Sequence, residues 1–241
     1  MSTRLTTLAI DATDPPLVGG FWASALGWTI QDVGADEVWL EAPDDTPFEI
    51  GIFRVPEPKS GKNRIHLDLV ADSHVDQDDL VERLVSLGAT VVDVGQPLDA
   101  DHVVLADPEG NELCVVLRGE FLATTGLLGA IVFEPASAEL GWFWSEATGW
   151  PIVHDQDGET AIRSPDGRGP FITFGPPVDA AKAGKNRLHL DIAPPSDGDQ
   201  AAEVHRLVAL GAEPVDIGQG EVSWVVLADL DGNELCVLTP R

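Results

Sequence analysis

The sequence predicts an α+β protein of two tandem modules, each assembled from two βαβββ units. Two observations carry this expectation. GKNRIHLDL at residues 61–69 returns as GKNRLHLDI at 184–192, and VVLADPEGNELCVVL at 103–117 returns as VVLADLDGNELCVL at 225–238. A spacing of about 120 residues is too long for a solenoid repeat and suits a small domain. Within each half, the order strand, helix, strand, strand, strand is read twice. The expected modules are residues 1–118 and 127–241, joined by a connector at 119–126.

Residues 3–12 alternate, with Leu8, Ile10 and Ala12 on one face and Thr7, Ala9 and Asp11 on the other, as a half-buried strand requires. Asp14-Pro15-Pro16 then opens a helix in which Val18, Phe21, Trp22, Ala25 and Leu26 recur at helical spacing, and Gly27 ends it. Strands are expected near 28–32, 38–41 and 48–54. The order begins again with a strand at 65–70 and a helix over 76–87 whose Leu80, Leu84 and Leu87 face inward. Gly88 closes that helix, and strands at 90–94, 102–106 and 112–117 follow, the last two joined by Asp107-Pro108-Glu109-Gly110-Asn111. The second half reuses these landmarks: FWASALGW at 21–28 becomes FWSEATGW at 143–150, and its loop at 175–183 is longer than the counterpart at 54–60.

Composition narrows the function classes. Forty-one acidic against 14 basic residues give a formal net charge of −27, a field that repels nucleic acid and anionic membrane surfaces. No run approaches the roughly 20 apolar residues of a membrane span, and the N-terminus lacks the pattern of a signal peptide. The two cysteines, Cys114 and Cys236, stand at the same place in each half and not in one pair, which favours a reducing, cytoplasmic setting. The expected partner is therefore a small molecule, with neither nucleic acid nor membrane.

Alternation also picks out candidate site residues. If Ile65, Leu67 and Leu69 face the helices, His66, Asp68 and Val70 face the other way, and by the same rule Glu112 and Cys114 share a face. His189, Asp191, Glu234 and Cys236 repeat this set. Trp22, Trp28, Trp144 and Trp150 sit on the helices and their exits and are read as core. Trp39, Phe53, Phe174 and Trp224 lie on strands and are candidates to line an apolar cleft. The cysteines neighbour acids, which hold a thiol unreactive, so they are read as small buried residues. Lys62-Asn63-Arg64 and Lys185-Asn186-Arg187 are read as loop-holding residues paired with nearby acids, with contact to an anionic ligand as the alternative.

The paired βαβββ units, the Phe-Trp helix before Gly-Trp, the Leu-Gly-Ala turn and the Asp-Pro-Glu-Gly-Asn-Glu hairpin resemble the vicinal-oxygen-chelate superfamily of glyoxalase I, extradiol dioxygenases and bleomycin-resistance proteins. GKNR-[IL]-HLD and GNELCV are similar to its glyoxalase-like branch. The resemblance implies that each module curls its strands into an open cup with the helices outside, and that the cup holds a divalent metal or a ligand. It also implies a four-ligand set on the first, fourth, fifth and eighth strands. His66 and Glu112 match the last two positions in one module, His189 and Glu234 in the other. The first two fall on Thr7 and Phe53, and on Gly129 and Phe174, which are poor ligands; Glu49 is a substitute if the register differs by two.

With half of the metal set unmatched, a hydrogen-bonded His66–Glu112 pair is preferred to a bound Zn, Ni, Mn or Fe ion. The leading expectation is binding or sequestration of a small, partly apolar or aromatic molecule, as in the bleomycin-resistance branch. Its rivals are a divalent-metal lyase, isomerase or dioxygenase, with glyoxalase I activity itself disfavoured, and a ligand-free regulatory or scaffold protein. Pairing of the modules within one chain permits a monomer, and an exposed edge permits a homodimer.

Overall fold

In a computed structural model that describes residues 3–97, 99–135, 137–177, 182 and 184–241, the chain forms sixteen strands and four helices. The first unit is β1 (Arg4–Ala12), α1 (Pro15–Leu26), β2 (Thr29–Val33), β3 (Glu37–Glu41) and β4 (Glu49–Arg54). The second is β5 (Ile65–Ala71), α2 (His74–Ser86), β6 (Thr90–Val91), β7 (Val103–Ala106) and β8 (Glu112–Leu117). The third is β9 (Leu128–Phe133), α3 (Leu140–Thr148), β10 (Ile152–Gln156), β11 (Glu159–Ile162) and β12 (Phe171–Phe174). The fourth is β13 (Leu188–Ala193), α4 (Gln200–Ala209), β14 (Glu213–Pro214), β15 (Val225–Ala228) and β16 (Glu234–Val237).

Local chemistry sets the element ends. Asp14 caps α1 by accepting from the Leu17 amide, Pro15 occupies the first turn, and Gly27 takes the left-handed conformation (φ 70°) that ends the helix. Ser73 and Asp199 cap α2 and α4 in the same way. The expected strand at 90–94 pairs only over Thr90–Val91. Beyond it, Asp93 accepts from the Gly95 amide and Gln96 from the Val94 amide, so local side-chain bonds replace the ladder. Most of the long loop at 175–183 lies outside the described residues.

The sheets are not assembled from sequence neighbours. One eight-stranded sheet runs β14-β15-β16-β13-β1-β4-β3-β2 and joins the first unit to the fourth; the other runs β10-β11-β12-β9-β5-β8-β7-β6 and joins the second to the third. The antiparallel pairs β1–β13 and β5–β9 make the two joints. Each cup therefore takes one unit from each sequence half. Leu8, Ile10, Leu67, Leu69, Ile131, Leu190 and Ile192 belong with Trp22 and Trp144 to one buried core between sheets and helices, continuous through all four units.

The hairpins after β7 and β15 tie into that core. Trp22 Nε1 donates to Asp107 Oδ2 and Trp144 Nε1 to Asp229 Oδ2, both at 3.1 Å, while each Asp also accepts from backbone amides of its own turn. Between sheets, Arg187 donates to Glu109 at 2.6 Å, and Glu109 accepts from the Thr13 and Asp14 amides. Among the described residues no helix is long and apolar enough to cross a membrane.

Candidate functional site

The inward side of each sheet carries a His-Asp-Cys trio. On β5, Ile65, Leu67 and Leu69 point to the core and His66 and Asp68 away from it, and parallel pairing with β8 sets Cys114 beside Asp68. His66 Nε2 lies 3.4 Å from Asp68 Oδ1, and one ligand atom from each of His66, Asp68 and Cys114 falls within 4.8 Å of the others. The other sheet repeats this with His189, Asp191 and Cys236, where His189 Nε2 is 3.3 Å from Asp191 Oδ1.

Electrostatics bind each trio together. Burial pulls the His66 imidazole down, but its contacts with Asp68 and Cys114 outweigh that and raise it to about 10. His189 is raised well above the ordinary value against the same burial, through Asp191 and Cys236. Burial pushes the Cys236 thiol up, against the contact with His189 that pulls it down.

The other candidates are placed differently. Glu112 does not meet His66. It sits at the start of its strand, and its carboxylate turns to Lys59 Nζ at 2.8 Å and the Asn63 amide at 3.1 Å. Glu234 is held likewise by Lys182 at 2.6 Å and the Asn186 amide at 3.1 Å. Each Glu thus fastens the GKNR loop, and the residue that joins His and Asp is the cysteine two places on, on the same face. The basic clusters are absorbed as well: Lys62 pairs with Glu134 and Lys185 with Asp11, both at 2.5 Å, and Arg187 with Glu109.

Phe53 and Trp39 face the cup, their rings edge to face at 5.2 Å, but it is the cup of His189 and not that of His66. Phe174 faces the core against Phe133 and Trp144, because β12 pairs one register away from the expected alignment and a single-residue slip reverses a strand's faces. Thr7, expected beside His66 in its own module, lies instead opposite Asp191 in the other cup. Gly129 falls at an irregularity in the β5–β9 pairing, so Ala130 stands opposite Asp68. Trp224 lines a groove of about 530 Å³ with Pro214, Val215, Gln219 and Val226, and this groove adjoins the His189 trio because Val226 stands opposite Cys236.

Sequence reading did not single out Lys59, Lys182, Val132, Thr173, Phe121 or Phe171. Strand alternation carried a signal for Val132 and Thr173, whereas Phe121 sits in the connector. There it stacks on Phe171 with centroids 4.3 Å apart and meets His154 at 5.5 Å. Arg163 lies 4.5 Å over the Phe171 ring and fixes the connector by donating to the Thr124 hydroxyl and carbonyl.

Paired βαβββ units, joined edge to edge into two open sheets with a histidine-centred polar cluster on one face of each, define the fold class of glyoxalase-like proteins. The chain belongs to the Glyoxalase-like domain family, whose sequence pattern it matches twice, over residues 7–116 and 130–238. Its fold is similar to glyoxalase I from Zea mays (TM-score 0.66, 14% identity, covering 99% of this chain and 92% of that one). A putative dioxygenase from Bacillus subtilis is comparable (TM-score 0.63, 15% identity, covering 100% and 86%). No curated protein matches the sequence.

The family implies a divalent metal, and the trios meet part of that requirement. Histidine, carboxylate and thiolate are suitable donors for a zinc-like ion, and three protein ligands with an open position is a known catalytic arrangement. Asp68 Oδ1 and Asp191 Oδ1 are buried and each faces only the neighbouring imidazole, while His189 Nδ1 is buried without a hydrogen-bond partner. The opposite half of each cup offers Thr7 and Glu49, or Ala130 and Phe171, in place of a second pair of ligands.

Proposed function

We propose that the protein binds a small, partly apolar or aromatic molecule on the inward faces of its sheets. The observation that supports this most directly is a polar trio set beside apolar side chains: His66, Asp68 and Cys114 adjoin Val116, Val132, Ala130 and Phe171. A few placed polar groups in an apolar concavity are the usual form of a small-molecule site. On this reading the two halves supply each other's sheet edges and the chain acts as a monomer.

The test is a thermal-stability screen of chelator-treated protein against phenols, aromatic acids and aromatic amines. A ligand that prefers the folded state raises the midpoint in proportion to its concentration over Kd. A concentration-dependent rise that disappears in His66→Ala/His189→Ala supports the reading, and no rise across the panel counts against it.

A second reading, metal-dependent lyase, isomerase or dioxygenase chemistry, is favoured by the convergence of one ligand atom each from His, Asp and Cys in both trios. His66, Asp68 and Cys114, or His189, Asp191 and Cys236, would hold the ion, which would supply Lewis-acid polarisation of a substrate oxygen. Elemental analysis of gently purified protein tests it: near-stoichiometric Zn, Ni, Mn or Fe that vanishes in the double histidine variant supports this reading, and no uptake after incubation with each ion removes it.

A further inference from the structure

The two cups carry the same trio, and the same valine opposite the cysteine, but differ at several matched positions beyond it. In the cup of the second and third units, Val116, Cys114, Asp68, His66, Val132 and Thr173 form a row across β8, β5, β9 and β12, and each is partly exposed. Their counterparts in the other cup are Leu238, Cys236, Asp191, His189, Ala9 and Gly51, and each is buried. The His66 and Asp68 side chains are 14% and 18% exposed, against 10% and 9% for His189 and Asp191.

The cause lies in three substitutions between the repeats. Phe53 lays its ring over Gly51: a Cβ at Gly51 would lie 2.6 Å from the ring and 3.2 Å from Thr7 Cγ2. Trp39 stands beside it against Gly51 on β3. At the same places the other cup has Ala161 for Trp39, Thr173 for Gly51 and Gly175 for Phe53. Around Cys236, Val215 and Ile217 pack with Ala193, Val226 and Leu238, where the other repeat has Val92, Val94, Val70, Val104 and Val116. The groove beside Trp224 stops at Val226 and does not include Cys236.

We propose that the cup of the second and third units is the protein's single ligand-binding cup, and that Trp39 and Phe53 occupy the other where a ligand would lie. This rests on the proposed binding function and says which site serves it. The open row runs from the valine floor to a carboxylate–imidazole pair, and Phe121, stacked on Phe171, forms an aromatic wall nearby. The ligand class that fits is a flat, partly aromatic molecule bearing an O–H or N–H donor for Asp68.

Each cup holds one cysteine, so a thiol reagent reads the two cups separately and without knowledge of the ligand. The probe is 4,4′-dithiodipyridine, a neutral, flat aromatic disulfide whose 4-thiopyridone product is followed by absorbance. Native protein is expected to release one equivalent rapidly, from Cys114, with Cys236 slower by at least about 10-fold because thiol reactivity follows access. The rapid phase should vanish in Cys114→Ser and persist in Cys236→Ser. In Trp39→Ala/Phe53→Gly, shown to be folded by circular dichroism, the second cup should open, and an aromatic ligand bound at one equivalent by the native protein should bind at two.

Equal rates in the native protein, or a Cys114 no faster than Cys236, would overturn the proposal. So would a folded double variant that still binds a single equivalent of that ligand. If that variant does not fold, the two single-cysteine variants still decide. Selective access to Cys114 in a protein that binds no member of the aromatic panel would sink the binding function and leave the difference between the cups standing.

Discussion

At the scale of single residues, polar side chains in this protein mostly fasten backbone, and few are free for chemistry. Glu109 is one such fastener. Burial pushes its carboxyl up, but the Thr13 and Asp14 amides, the Thr13 hydroxyl and Arg187 together hold it below the usual range. A depressed folded value means that its stabilisation is complete above the unfolded value of about 4.3 and is lost as pH falls through the folded one. Glu109→Gln should therefore lose about 1 kcal/mol at pH 7, since the pair is only part-buried and solvent screens it. The gap to the unmodified protein should shrink below about pH 4, as urea unfolding at stepped pH would record. Trp22→Phe removes one donor to the buried Asp107 and should cost about 1–3 kcal/mol in the same assay. Much of the site was legible at this scale. Alternation on β5 set His66 and Asp68 together on the inward face, and the same rule set Glu112 with Cys114. It could not say which of those two reaches the histidine, because that depends on Lys59, which arrives from a loop with no periodicity.

At the scale of elements, α1 could be read almost to its ends, since Asp14, Pro15 and Gly27 are local signals with local consequences. Gly27→Ala should destabilise the protein by about 1 kcal/mol, measured by thermal unfolding, because an alanine at φ 70° is strained. Short strands were less legible. The face of Phe174 turned on a register that depends on how β12 meets β9, and the strand expected at 90–94 gave way to side-chain bonds from Asp93 and Gln96. The connector had only been counted as a spacer. Its Phe121 ring instead packs on Phe171, and Phe121→Ala should lower the melting temperature slightly while weakening any aromatic ligand of that cup, as a titration against the unmodified protein would show.

At the scale of the whole molecule, the repeat announced four units but left no trace of how they pair. An apolar strand face looks the same whichever neighbour borders it, so β1 could have met β5 as readily as β13 from pattern alone. The exchange predicts that residues 1–118 expressed alone expose the open edges of both β1 and β5 and self-associate or aggregate, as sedimentation would reveal. Adding residues 127–241 should restore a one-to-one complex. The same arrangement nests one sheet inside the other along the chain. On a ribosome, all the strands of the inner sheet are in hand once β12 has emerged, while β1 must wait, its edge uncovered, until β13 is made. The nascent chain thus completes its more open cup first, and the closed, aromatic-filled one is sealed only by the last unit to be translated.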